Sequence, residues 1–170
     1  MSMVVSIVII PAIGDQQQPT EIHEYVCCSP KVNVWCGLLY DLIVGNFFYA
    51  ESTVTGNIYQ DLLEIYVFPQ IDDLETVTGS KIIFMQDGAP QFSLSVRKVL
   101  NGKFPDSWIG RDGPIPWPAR SPDLTPLDIF FWGYTKNIVY SKRIADISHL
   151  KRRIIAAIET VTPDVLFKTG

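Results

Sequence analysis

Cysteine is scarce in this chain: three residues, Cys27, Cys28 and Cys36, an odd number with two of them adjacent. That excludes a disulfide framework and points to a reducing compartment, nuclear or cytoplasmic. His23, Cys27, Cys28 and Cys36 would be the donors of any zinc site, but adjacent cysteines are poorly spaced for tetrahedral ligation. Cys36 alternates with its neighbours as a strand residue does and reads more simply as core. A basic excess is also lacking. The formal net charge is −4 and the pI about 5.1, whereas a DNA-binding domain that works alone usually carries surplus Lys and Arg to neutralise phosphates. Any grip on DNA is therefore local. No apolar run reaches the roughly 18 residues of a membrane span. Residues 3–13 (MVVSIVIIPAI) are apolar, yet no Lys or Arg precedes them and no small-residue cleavage site follows, so they read as a short buried strand and not a signal peptide. Charged residues make up only 19%, against 47% hydrophobic and 12% aromatic, which excludes a disordered chain. No internal repeat is present.

What is present fits one domain of 170 residues, large enough to enclose a single core. Residues 14–30 are polar and contain proline, a loop by composition. Val32, Val34, Cys36 and Leu38 alternate with Asn33 and Gly37, and after Tyr40-Asp41 a second β-rich run covers 42–49, which together predict a hairpin. Tyr59, Leu62, Leu63, Tyr66, Val67 and Ile71 recur at helical spacing behind two candidate caps, Thr55 and Asn57. Residues 81–85 (KIIFM) form a short apolar run, the mark of a strand covered on both faces, and it breaks off at Gln86-Asp87-Gly88-Ala89-Pro90. Phe92, Val96, Val99 and Leu100 outline a helix that Asn101-Gly102 should end. Residues 103–127 hold six of the 12 prolines, so they extend or turn, with a short strand at 107–109. Thr125 caps a helix with Pro126 at its first position, running through Phe130, Phe131, Tyr134 and Ile138. A last helix uses Ile147, Leu150, Ile154, Ile158 and Val161.

The order is α/β: a hairpin precedes a buried strand, and helices flank both. One further strand before the hairpin would complete an RNase H-like mixed sheet, and residues 3–13 are the candidate for its vacant edge or centre. Two carboxylates stand out by position. Asp87 lies at the carboxyl end of the buried strand, and Asp128 in the first turn of a helix. Ligands gather at the carboxyl ends of strands in such sheets, and two carboxylates with open coordination positions suit Mg²⁺. Two metals held so activate a water or 3′-hydroxyl and stabilise the leaving oxygen in phosphodiester cleavage. A structural role accounts for each residue as well: Asp87 as a turn former, Asp128 as the acid that completes a capping box with Thr125.

The segments QDGAP (86–90), WIGR (108–111), WPARSPDLTPLD (117–128) and FWGY (131–134), with SPKVNVWCG (29–37), together resemble the catalytic region of mariner-like DNA transposases, over roughly residues 19–166. The resemblance implies an RNase H-like domain over 18–170, behind a divergent segment at 1–17 and incomplete at its first strand. It implies a DDE/DDD acidic triad binding Mg²⁺ or Mn²⁺, whose second and third members map to Asp87 and Asp128; Asp123 is a loop residue and Asp15 does not match. DNA transposon ends are the implied partner, with a homodimer possible, and Arg97, Arg111 and Arg120 are the candidate phosphate contacts. The family's first acid would lie ahead of Met1, its helix-turn-helix region has no counterpart here, and Gln91 stands where relatives carry His. The expectation is a remnant of a DNA transposition and integration enzyme, inactive alone. A domesticated module that binds nucleic acid or protein without cleaving is the alternative.

Overall fold

The computed structural model describes residues 3–10, 32–39, 42–86, 94–110, 112–116 and 131–162. Six strands form one sheet in the order β3-β2-β1-β4-β5-β6. The opening apolar run supplies β1 (Met3–Ile10), which lies at the centre: antiparallel to β2 (Val34–Leu39) on one side and parallel to β4 (Ile82–Gln86) on the other. An apolar run with no turn former is what a doubly flanked strand requires. The first strand, expected to be wanting, is thus supplied by the very residues set apart as an N-terminal segment, and the sheet has the RNase H-like order.

β2 and β3 (Leu42–Phe48) form the predicted hairpin, with a register shift between Trp35 and Gly37. Opposite that shift Gly45 takes φ +57°, and a Cβ there would meet the Tyr66 hydroxyl at 2.5 Å. Only glycine fits. The sheet's other edge is short: β5 (Trp108–Gly110) starts one residue later than predicted, and β6 (Ile115–Pro116) follows it, parallel.

Thr55 caps α1 (Gly56–Leu62), its side chain accepting from the Ile58 N–H. The helix continues past Ile71 through a π-helical turn (Leu63–Val67) into α2 (Phe68–Thr78). Pro69 explains the wide turn, because it has no N–H to give the preceding turn and its ring needs room; the Gln70 side chain donates to the Tyr66 carbonyl at 2.9 Å. Gly79, at φ +65°, ends α2. α3 (Leu94–Lys103) runs through Asn101-Gly102, where the sequence suggested an end. Tertiary partners carry it on: the Asn101 side chain accepts from the Trp108 indole N–H at 2.8 Å, and Lys103 pairs with Asp72 and lies over the Phe68 ring. On the far side are α4 (Trp132–Tyr140) and α5 (Ile147–Glu159), the latter capped by Asp146, which accepts from the His149 N–H at 2.7 Å. The predicted start of α4, residues 125–130, lies outside the described residues.

Successive β2 side chains point to opposite faces, and each face has its own core. Trp35 and Leu39 join Tyr59, Phe84, Phe104 and Trp108 under α1, α2 and α3. Val34, Cys36 and Leu38 join Phe131, Leu150 and Ile154 under α4 and α5. The architecture is three layers, helix on sheet on helix. Cys36 is fully buried, its thiol 3.2 Å from the Gly45 carbonyl and pushed up to about 12 by burial, a core residue as expected.

Candidate functional site

β4 is an interior strand of the sheet and precedes the candidate acid in sequence. Ile82 and Phe84 point into the aromatic core, and Gln86, the next residue on that face, is buried too. A buried amide needs partners. The hydroxyl of fully buried Tyr59 donates to the Gln86 side-chain oxygen at 3.1 Å, and burial pushes that hydroxyl well above its ordinary 10. Gln86 therefore anchors the strand end from beneath, and Asp87 follows it directly in sequence.

A second support comes from β5 and the turn after it. Trp108 packs beneath that turn so closely that a Cβ on Gly110 would meet its ring at 2.7 Å and the Gln86 carbonyl at 3.3 Å. The chain then closes a turn in which the Gly113 N–H donates to the Gly110 carbonyl, with Asp112 left-handed at φ 58°. Asp112 receives the Arg97 guanidinium at 2.8 Å. Of the three candidate phosphate contacts, Arg97 thus stands on α3 engaged by a carboxylate, with its side chain 34% exposed. Asp87, Asp128, Arg111 and Arg120 lie outside the described residues. Sequence order sets Asp128 three residues before Phe131, which is buried against β2 on the α4–α5 face.

Among the described residues, no group of three His, Cys, Asp or Glu side chains converges to hold a metal. His23, Cys27 and Cys28 are outside them, and Cys36 is directed at the Gly45 carbonyl. The Tyr59–Gln86 bond and the Arg97–Asp112 pair were not read from sequence. A Gln closing an otherwise apolar strand was the one available signal, since a buried amide in that place demands a donor or acceptor from another element.

A mixed sheet with a central first strand, an antiparallel hairpin on one side and parallel strands on the other, with helices on both faces, defines the RNase H-like class. Within it, the chain is similar to the catalytic domain of Mos1 mariner transposase, with 17% identity, 97% of this chain and 74% of that one covered, and a TM-score of 0.68. The Mos1 catalytic domain in a structure with raltegravir and manganese gives 16% identity, the same coverages and a TM-score of 0.71. A pre-cleavage Mos1 transpososome gives 15% identity, 98% and 51% coverage and a TM-score of 0.68, so this chain spans about half the length of the transposase in that assembly. At such identities the likeness is one of fold. No protein-family model matches the sequence, and no curated protein matches it.

Proposed function

We propose that this chain is a transposase-derived catalytic domain that keeps part of a divalent-metal site, Asp87 and Asp128, and does not cut or join DNA by itself. The observation that carries the reading is the central strand pair. β1 runs parallel to β4, with Ile7 beside Gln86, so the sheet brings β1 alongside the strand that leads into Asp87. The eight residues of β1 (MVVSIVII) include no acid. A two-metal phosphoryl-transfer centre needs several anionic ligands to hold the ions against water. Asp87 and Asp128 alone fit such a group only in part.

Similarity in fold to Mos1 structures, including paired-end complexes with manganese or magnesium, supports Mn²⁺ or Mg²⁺ as the ion and DNA as the ancestral partner. It does so alongside the QDGAP and SPDLTPLD segments. Arg97, Arg111 and Arg120 remain the proposed phosphate contacts; for Arg97, a phosphate has to compete with Asp112.

Paramagnetic broadening of amide resonances during a Mn²⁺ titration tests the reading. Broadening centred on the amides next to Asp87 and Asp128, lost in the Asp87→Ala, Asp128→Ala double variant, is the expected result. Broadening that is diffuse, or indifferent to the double variant, sinks the metal-site reading. Cleavage of duplex DNA by the purified chain in Mn²⁺ overturns the claim of inactivity.

A further inference from the structure

The chain is acidic as a whole, but its charge is segregated across the sheet. Residues 51–78, which contain α1 and α2, hold six Asp and Glu and no Lys or Arg. Residues 131–162, which contain α4 and α5, hold six Lys and Arg against two acids, a local charge of +4, whereas the whole chain is −4 and the remainder therefore −8. These two segments cover opposite faces of the sheet, and α3, which shares the α1–α2 side, adds Arg97, Lys98 and Lys103 there. Net charge thus understates the field at either surface.

The basic side chains of α4 and α5 do not all have the same task. Arg153 is structural. It donates to the carbonyls of Ile138 and Lys142 at 2.8 and 2.7 Å and to the Ser141 hydroxyl at 2.9 Å, satisfying the last turn of α4 and tying the α4–α5 connection to α5. Lys151 lies over the Phe48 ring, toward β3. Lys136, Lys142, Arg143 and Arg152 remain, all exposed. Among the described residues the ion pairs are Arg97–Asp112 and Lys103–Asp72, neither on this face. Of the two acids here, Asp146 is committed to the α5 N-cap, and Glu159 stands at the far end of that helix. The Arg153 brace holds the Lys142-Arg143 turn against α5, so much of the ordering cost of the turn is met before any ligand arrives.

We infer that the α4–α5 corner, through Lys142, Arg143 and Arg152 with Lys136 at its flank, is a sequence-independent binding surface for the phosphate backbone of duplex DNA. The occupant follows from charge complementarity: unpaired, exposed Lys and Arg with long side chains, on a preset turn and one helix face, match a polyanion with closely spaced charges. The inference rests on the DNA-related reading above, but it uses different residues and needs no metal. Its residues do not include Asp87 or Asp128, so DNA binding there would not depend on cleavage.

Fluorescence anisotropy of a labelled duplex of arbitrary sequence, titrated with the full chain in EDTA, tests it. Affinity should fall by about a hundredfold between about 50 and 200 mM salt, as expected for roughly four neutralised phosphates. The Lys142→Glu, Arg143→Glu, Arg152→Glu variant should weaken binding at least about thirtyfold and flatten the salt slope by roughly 3, while Lys81→Glu changes little. The neutral variant Lys142→Gln, Arg143→Gln, Arg152→Gln, matched to wild type by circular dichroism, should show an intermediate loss. Binding unchanged in both variants overturns the inference, as does an absence of binding at the lowest salt. A dimer in sedimentation that the Glu variant dissolves, with DNA affinity unchanged, also overturns it and assigns the corner to the acidic α1–α2 face of a second copy. EDTA keeps these outcomes independent of the Mn²⁺ titration, so either proposal can fail alone.

Discussion

The two faces of the sheet differ in both what they enclose and what they present. Under α1, α2 and α3 the core is aromatic: Phe84 stacks on Phe104 with ring centroids 5.0 Å apart, and Trp35 meets Tyr66 edge-on at 6.3 Å. Within that layer the α1–α2 segment is acidic, while α3 carries Arg97, Lys98 and Lys103. Under α4 and α5 the core is mostly aliphatic, with Val34, Cys36, Leu38, Leu150 and Ile154 fully or almost fully buried, and the outer surface is basic. Large rigid rings contribute more buried area per residue and fix geometry more tightly than branched aliphatics. The aromatic face therefore positions the end of β4, and the aliphatic face carries the charged helices. One sheet separates the aromatic layer under the end of β4 from the helices proposed to hold DNA.

The largest effect should come from the aromatic face. Phe84→Ala removes a fully buried ring and its stack on Phe104 and should cost about 3–5 kcal/mol in urea unfolding. A loss under about 1 kcal/mol would show that this core repacks freely. Next is Tyr59→Phe, which takes the hydroxyl donor from Gln86 and should cost about 1–3 kcal/mol, because a buried amide oxygen loses a partner. A neutral Tyr59→Phe would show that the hydroxyl does not anchor the β4 end.

Alkali compares the faces in a single scan. Cys36, on the aliphatic face, is raised from 9.0 to about 12, and Tyr49 and Tyr59, on the aromatic face, are raised above 10, in each case chiefly by burial. The folded state favours the protonated form of all three, so the unfolded chain releases these protons first. Stability contributed by Cys36 is therefore complete below about pH 9 and is lost as pH rises toward 12, by up to about 1.4 kcal/mol per pH unit for each group. Cys36→Ala should move the onset from about pH 9 to about pH 10, where the tyrosines begin; an unmoved onset would show that the thiol is not what titrates. The smallest effect should be that of Asp146→Ala, about 1 kcal/mol, from loss of the α5 cap beside the basic turn. It should leave the aromatic face's near-ultraviolet circular dichroism unchanged, and a change there would show that the two layers are not independent.

Much of the fold was readable because period and punctuation agree locally. Alternation at Val32, Val34, Cys36 and Leu38 marked β2, and two candidate caps, Thr55 and Asn57, bracketed the start of α1, of which Thr55 is the cap. Placement across the sheet was harder to read. The run at Met3–Ile10 said strand but did not say where, since periodicity does not encode neighbours; its central place follows from pairing with β2 and β4. Gly102 misled for a related reason, because tertiary bonds from Asn101 and Lys103 outweigh the weak helix propensity of one glycine. β6, two residues long, is below what a pattern can register. Asp87 and Asp128 were read from motif and position and lie outside the described residues. Of the Arg trio, Arg97 was legible as a charge, but its partner Asp112, fifteen residues on, was not. Charge segregation was countable in the sequence; that the two segments face opposite sides required the three layers.

The most direct measurement is a Mn²⁺ titration followed by electron paramagnetic resonance of the unbound ion, on wild type and on Asp87→Asn and Asp128→Asn separately. Wild type should bind weakly and each single variant should lose that binding, because a shared ion needs both carboxylates. Binding that survives either substitution, or no binding by wild type, would contradict the claim that the two acids belong to one metal site.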